Sequence, residues 1–493
     1  MHLRRQLLLS AGAVGLLLLV GACAGPLEDA RPGPDVPAQS LGAEAEPGTA
    51  VTALTGGRTK AVWLQDLGDG TGVFGVSGQF ILMGFDTGDD LGERVILDTP
   101  GSYTKPLITP SGARIIYGDR PRLDVVGGAV MVVDWTGNNL RYLADGFPLA
   151  VWEDPDDATE WVYIGLDSDD VSGFHRRVHR FPIDRPGEIE LVWDQRPVSS
   201  DGFQVSADGR VAAALGPFPD AGLLALPNGG WRLLGNGCWT ALARDDSHLF
   251  WYFDGQHRNL TIIDTDAAED RRWTVNINGA PGIDGFEVYH PRWSNHPRFL
   301  TMTGPYRVGS DDSKLDGGGP GVEIYVGRFS SDHTYVEAWS QVTTNNAPDF
   351  FPDVWVDPAA RVPASTPSDA AAGAARAPDG VAPASPVIVD ARVTADVPVP
   401  TPRDIAPYRN GLLVLEYDVL AVIAGRYDQT TLLAAHWIIR DAALLDSAVR
   451  PVGTVVRLRL EPYAAHPELE GERLVMDSNR FNLPLFYDLD SRP

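Results

Sequence analysis

The sequence predicts an all-β protein: a six-bladed β-propeller closed by pairing of its N- and C-terminal strands, followed by a small β-barrel. Three observations predict it. Short runs rich in Val, Ile, Leu, Tyr and Trp, broken by Gly, Asp, Asn and Pro, fill residues 59–357 with almost no helical period. The runs recur in units of roughly 40 to 60 residues, near the length of a propeller blade. The two ends of this segment look like complementary fragments of one blade, so joining them would leave no open sheet edge.

The elements follow in order. Residues 1–22 read as a signal peptide, with a basic start at Arg4 and Arg5, an apolar run from Leu7 to Val20, and small residues before Cys23. The run is shorter than the about 20 residues of a membrane span. Val20-Gly21-Ala22-Cys23 resembles the lipobox of bacterial lipoproteins, which implies that the Cys23 thiol is acylated. Arg4-Arg5 also resembles a twin-arginine export signal. Ala24 lacks the Asp that retains some lipoproteins at an inner membrane, so the expected address is the outer membrane. Residues 23–58, rich in Pro, Gly, Ala and Glu, are expected to form a flexible tether.

Within 59–357, one unit runs from Pro106 through Ile115 and Val130 to Leu143, and the next begin near Pro148, Gln204, Trp239 and Val288. Tight turns at Ser111-Gly112 and Asp208-Gly209 reverse the chain after the first strand of a unit. Lys60–Gln65 looks like a second strand with no first, and Phe350–Val356 like a first strand with no second. Pairing them completes a blade. The count is six, or seven if two of the uneven units are merged ones.

The turn pattern resembles the blade motif of TolB-like propellers over residues 59–357, with degenerate copies at Asp245-Asp246 and Ser294-Asn295. The resemblance bears on the fold and leaves the chemistry open. Some TolB-like propellers are metal-dependent oligogalacturonate lyases with His ligands in the channel, which implies a place to look for a site.

A Pro- and Ala-rich stretch at 358–385 reads as an interdomain linker. Residues 386–493 change character, with long β runs at 387–393, 412–423, 431–439 and 455–460 and a turn at Gly425. A strand of about a dozen residues, bent near its middle, suits a small closed barrel of OB-like order. The propeller and the barrel are expected to be independent domains.

Net charge is −26, and Lys60, Lys105 and Lys314 are the only lysines. Such a surface repels nucleic acid, which excludes nucleic-acid binding, and leaves the lipid anchor as the sole route to a membrane. With Cys23 acylated, Cys238 has no disulfide partner within the chain. Acidic loops at Asp86–Asp90 and Asp311-Asp312 carry the carboxylates Ca²⁺ takes, without EF-hand spacing.

No Gly-x-Ser-x-Gly elbow and no phosphate-binding Gly-Lys loop occurs, and Ser102-x-x-Lys105 lacks the partners of a β-lactamase set. Chemistry concentrates in 236–301, which holds Cys238, His248, His257, His290 and His296. Trp239 and His290 fall at equivalent places in neighbouring units and are expected to face the channel. Two readings follow. In one, the protein is an envelope binding or scaffolding module that engages another envelope protein or a surface polysaccharide and needs no cofactor. Its candidate ligand-binding residues are Trp239, Trp293, Arg258 and Cys238. In the other, His257, His290 and His296 hold Zn²⁺ or Mn²⁺ in a polysaccharide lyase or hydrolase. The binding reading is preferred, because a His beside Pro and Trp at a blade turn commonly only hydrogen-bonds backbone.

Overall fold

The structure is a computed structural model. It describes residues 46–363 and 386–491, apart from 69, 71–76, 90, 121–127, 169–173, 217, 268–269, 284, 307–320, 396, 404, 406–407, 446, 467–468, 470 and 477–482. Cys23 and the signal segment, Asp311, Asp312 and most of the stretch 358–385 lie outside the described residues.

Six antiparallel sheets form the propeller. Blade 1 takes its innermost strand, Asp349–Val356, from the end of the segment and its next strand, Thr59–Asp66, from the beginning. The two pair from Thr59 opposite Val356 to Gln65 opposite Asp349. The innermost strands of blades 2 to 6 are Tyr103–Ile108, Phe147–Glu153, Gln204–Val205, Cys238–Leu242 and Glu287–Trp293. The count is six, and the closure is the one the sequence implies. Trp63 anchors that seam by donating its indole N–H to Asp349 at 2.7 Å.

The turn glycines have a packing reason. Gly112 and Gly209 adopt φ of +71° and +72°, which the tight turn requires. A Cβ on Gly112 would lie 2.8 Å from the ring of Trp355, and one on Gly209 would lie 2.5 Å from Trp152. Each Trp belongs to the inner strand of the preceding blade and donates its indole N–H at 2.8 Å to the same turn, at Pro110 and Ala207 respectively. The Gly turn is thus the socket into which the previous blade locks. Gly209→Ala is expected to cost about 2 kcal/mol in urea unfolding, through strain plus a displaced Trp152. Gly230→Ala meets nothing within 4 Å and is expected to stay within about 0.5 kcal/mol. Equal effects would remove the socket from the argument.

The expected tether at 23–58 is corrected at its end. Residues Pro47–Thr55 form a helix, α1, that starts on Pro47 and is capped by Gly56 at φ +75°. Val51 and Leu54 pack against Phe299, Ile324 and Val354 at the seam of blades 6 and 1. Arg328 donates to the Leu54 carbonyl at 2.8 Å. So few apolar side chains in an Ala-, Gly- and Pro-rich stretch give no visible period, yet they suffice once a propeller flank receives them.

The same seam carries a buried acid. Glu323 is buried, one of its oxygens has no hydrogen-bond partner, and burial pushes its pKa up to about 8. The folded chain therefore holds a proton that the unfolded chain releases from the ordinary glutamate range upward. Stability is present at low pH and is lost as pH rises toward 8, by on the order of 2–4 kcal/mol from this group. Glu323→Gln should flatten that slope in unfolding titrations at pH 5 and pH 8; an unchanged slope would place the proton elsewhere.

The C-terminal domain is a closed five-stranded barrel of Val387–Val393, Gly411–Ala424, Thr431–Arg440, Val455–Pro462 and Leu485–Asp488. The first strand pairs the second and fourth, the second pairs the third, and the fifth closes the ring, parallel to the third and antiparallel to the fourth. The 14-residue second strand bends where its register with the first shifts, so it can serve two neighbours. Its core is built on Val389, Leu415, Tyr417, Leu432 and Leu458. This is the OB-like order expected from the sequence.

Candidate functional site: a channel funnel and a domain clasp

The innermost strands carry a repeated irregularity. Their register with the second strand skips two residues in four blades: Lys105-Pro106, Trp239-Thr240, His290-Pro291 and Phe351-Pro352. Lys105, Trp239, His290 and Phe351 have φ of +40°, +45°, +53° and +54°. A bulge of this kind re-aims a side chain, and here all four turn toward the propeller axis. They line one small cavity of about 30 Å³ with Asp201, Gln204 and Arg292. Its wall is aromatic: Trp239 meets His290 edge-on at 4.8 Å, and His290 lies 4.2 Å from Phe351, centroid to centroid.

Deeper in, polar side chains cross the channel between blades. Arg292 of blade 6 pairs with Asp353 of blade 1 at 2.8 Å, and Asp353 accepts the Ile108 N–H of blade 2 at 2.8 Å. Gln204 of blade 4 donates to the Trp293 carbonyl at 2.9 Å. Arg244 of blade 5 donates to Val151 of blade 3 at 2.8 Å. These crossings give the cavity a floor; its other end is the one where the inner strands begin, the end at which Cys238 and Glu287 also meet the barrel.

The predicted site residues separate into four places. Trp239 and His290 face the funnel together, as their equivalent positions imply. His290 Nδ1 lies 2.9 Å from the Thr303 hydroxyl. His296 lies in the turn after the inner strand of blade 6, where its Nδ1 accepts the Arg298 N–H at 3.2 Å. It lies past the bulge and does not line the cavity that His290 lines. Trp293 belongs to the blade core: it is fully buried, stacks on Trp251 at 4.1 Å and donates to Pro297 at 2.7 Å. Its reading as a ligand contact is corrected accordingly.

His257, Arg258 and Cys238 meet the barrel. Glu287, wholly buried, accepts from Arg473 of the barrel at 2.9 Å and lies 3.0 Å from His257 Nδ1. Arg473 also donates to the Gly255 carbonyl at 2.9 Å. His257 Nε2 lies 3.4 Å from the hydroxyl of Tyr408, which lies 3.6 Å from Cys238 Sγ. His257 Nδ1 also lies 3.2 Å from an Arg473 guanidinium nitrogen, so the imidazole sits among Glu287, Arg473 and Tyr408. Arg258 donates to the Met476 carbonyl at 3.3 Å. A Cβ on Gly255 would sit 1.9 Å from the Glu472 carbonyl oxygen, which explains a glycine there.

Electrostatics fit a structural role. Burial alone would raise the Glu287 pKa, but Arg473 and His257 outweigh it and hold the carboxyl below its usual range. Burial pushes the Cys238 thiol up to about 12, so it is no thiolate at neutral pH. Among the described residues no three His, Cys, Asp or Glu side chains stand together as a group able to hold one metal ion. The expectation of independent domains is corrected by the same contacts: the barrel is docked. In the acidic loop proposed for Ca²⁺, Asp86 receives Arg58 at 2.9 and 2.7 Å and Asp89 pairs with Arg94, so both carboxylates face arginines.

The sequence reading missed Lys105, Asp201, Gln204, Arg292 and Phe351 in the funnel, and Glu287, Tyr408 and Arg473 in the clasp. One signal for the funnel was present: Lys105-Pro106, His290-Pro291 and Phe351-Pro352 recur at the same place in their units. The clasp partners leave no local pattern.

Fold and site define a six-bladed β-propeller with a docked OB-like barrel and an axial funnel. No protein-family model matches the chain, and no curated protein matches it. Solved structures similar to it include TolB from Acinetobacter baumannii, at 12% identity and a TM-score of 0.35, covering 60% of this chain and 66% of that one. A putative TolB from Agrobacterium tumefaciens shares 14% identity at a TM-score of 0.31, covering 61% and 99%. An oligogalacturonate lyase in complex with manganese shares 14% at 0.26, covering 39% and 53%. The chain thus spans about two thirds of the first TolB and about half of the lyase. Likeness at this level carries neither activity nor ligand across.

Proposed function

We propose that this is a lipid-anchored binding protein of the cell envelope whose port is the axial funnel, and that it engages another envelope protein or a surface polysaccharide there. The observation that carries the reading is the set of four bulges that turn Lys105, Trp239, His290 and Phe351 into one cavity. Four independent blades bearing the same strained feature at one level is what a rigid recognition surface requires, because side chains fixed by backbone geometry lose little entropy on binding. The lipobox-like Val20-Gly21-Ala22-Cys23, with Ala24 following, supports both acylation at Cys23 and an outer-membrane address. The competing reading, a metal-dependent lyase or hydrolase, needs His257, His290 and His296 to converge, and they occupy three different places.

Site-specific photocrosslinking in the source cell tests the proposal. Phe351→p-benzoylphenylalanine should yield a discrete adduct after irradiation. The same probe at Leu233, which is 54% exposed on the outer strand of blade 4, should yield none. Adducts from Leu233 only, or from neither position, would reject the funnel as the port.

A further inference from the structure

The closing strand begins at an acid with no cation beside it. Asp349, fully buried, accepts the Trp63 indole N–H at 2.7 Å, the Gln65 amide at 3.2 Å and the Asn345 amide at 2.9 Å. The same Asn345 nitrogen donates to Glu93 at 2.6 Å, so one amide spans two carboxylates. Glu323 of blade 6 stands across the seam, 7% exposed, with Oε2 lacking a partner. Both buried acids draw on the Thr343 hydroxyl. That hydroxyl already accepts the Ile324 N–H at 2.9 Å and has a single proton to give. It serves one of the two acids and not both.

Three carboxyls thus act on one another where blade 6 joins blade 1. No arginine, lysine or histidine is among the groups that act on Glu323, and none pairs with Asp349 among the described residues. Arg94, next to Glu93, is held by Asp89. Asp66, next to Gln65, accepts the Gly68 N–H and the Ser77 hydroxyl at 2.9 and 3.0 Å. Burial, and Glu93 after it, raise the Asp349 pKa to about 7; burial, Asp349 and Glu93 raise that of Glu323 to about 8. A carboxyl buried beside like charge keeps its proton, and once the proton leaves, the new charge is neither hydrated nor paired. The strand that starts at Asp349 also carries Phe351 to the cavity wall and Asp353 to Arg292 at 2.8 Å.

We propose that the ring closure is latched by a proton: with Glu323 neutral the closing strand stays seated, and when Glu323 ionises opposite Asp349 the strand parts from the seam and takes Phe351 and Asp353 from the funnel. The consequence for ligand capture rests on the funnel being the port; the latch itself does not. The folded carboxyl holds its proton more tightly than the same carboxyl released to water. The latch is therefore complete below the ordinary carboxyl range and is lost as pH rises through about 8.

Hydrogen exchange of the full chain at pH 6 and pH 9 tests the latch, read by mass spectrometry as protection factors so that the intrinsic pH dependence of exchange is divided out. Amides of a native protein exchange through local openings. Residues 349–356 should lose protection by about 100-fold between the two pH values, a factor of ten for each unit below the folded value of about 8. Leu249–Phe253, a buried strand of blade 5, should keep its protection. Glu323→Gln should cut the loss at 349–356 to about ten-fold or less, the part left to Asp349. If that variant does not fold, Thr343→Val decides: without the hydroxyl that both anions draw on, the loss should level off at a higher pH, and an unmoved profile would count against the latch. No loss at 349–356, an equal loss at Leu249–Phe253, or a Glu323→Gln protein that keeps the wild-type loss would overturn it. A Phe351 photoadduct with a pH-insensitive closing strand would sink the latch and leave the port standing; a working latch with no adduct would do the reverse.

Discussion

Glu287→Ala is expected to destabilise the protein by about 3–5 kcal/mol, among the largest effects of any single substitution, because it strands Arg473 in a site that excludes water. Glu287 and Arg473 are 0% and 4% exposed and 2.9 Å apart. Neither ion can recover its hydration when the other is removed. Arg473→Met should cost a similar amount for the mirror-image reason. Glu287→Ala combined with Arg473→Met should cost much less than the sum, since no charge is then left buried. Urea unfolding of the four proteins gives the coupling, and additive losses would mean that the pair is not the unit described. The pH dependence has a definite sign. Glu287 is held below the usual carboxylate range, so its contribution is intact above that range and fades only as pH falls through the depressed value.

The second large effect is at the closure. Deleting 349–356 strips blade 1 of its innermost strand and exposes the Thr59–Asp66 edge. Phe350, Val354 and Val356 are each 0–1% exposed, and Trp355 is 8%. Burial of four such side chains is worth roughly 6–12 kcal/mol, as much as the whole stability of a typical domain, about 5–15 kcal/mol. The loss also removes Asp353, leaving Arg292 unpaired at the funnel floor. The truncated chain is expected to show no cooperative unfolding by circular dichroism. A chain ending at 363 keeps the seam and should unfold cooperatively, with a lower midpoint because Glu287 and His257 are then wet. A cooperative transition from the 349–356 deletion would refute closure by that strand.

Much of this fold was legible because its signals are local. Ser111-Gly112 and Asp208-Gly209 mark the first turn of a blade within four residues, and the orphan strands at 60–65 and 350–356 are recognisable by what they lack. The site was legible in part. Trp239 and His290 could be placed on the channel from their position in the repeat. His257 could not be placed, because its partners Glu287, Tyr408 and Arg473 lie 30, 151 and 216 residues away. A His, a Cys and an Asp close in sequence look alike whether they ligate a metal or receive another domain. What decides between the two is the partner surface, and that is set by docking. Helix α1 was missed for a similar reason: its apolar face is two or three residues wide and is defined by the blade it covers.

The central claim is that the His257 cluster is a clasp between domains and that the funnel is left to bind. Cutting the connection tests it most directly. A protease site placed at residue 370 and cleaved in the purified protein leaves the propeller and the barrel joined only by their contacts. The account predicts that the two fragments co-elute on gel filtration in the wild type and separate when Glu287 is replaced by Ala. Fragments that part on cleavage of the wild-type protein would contradict it.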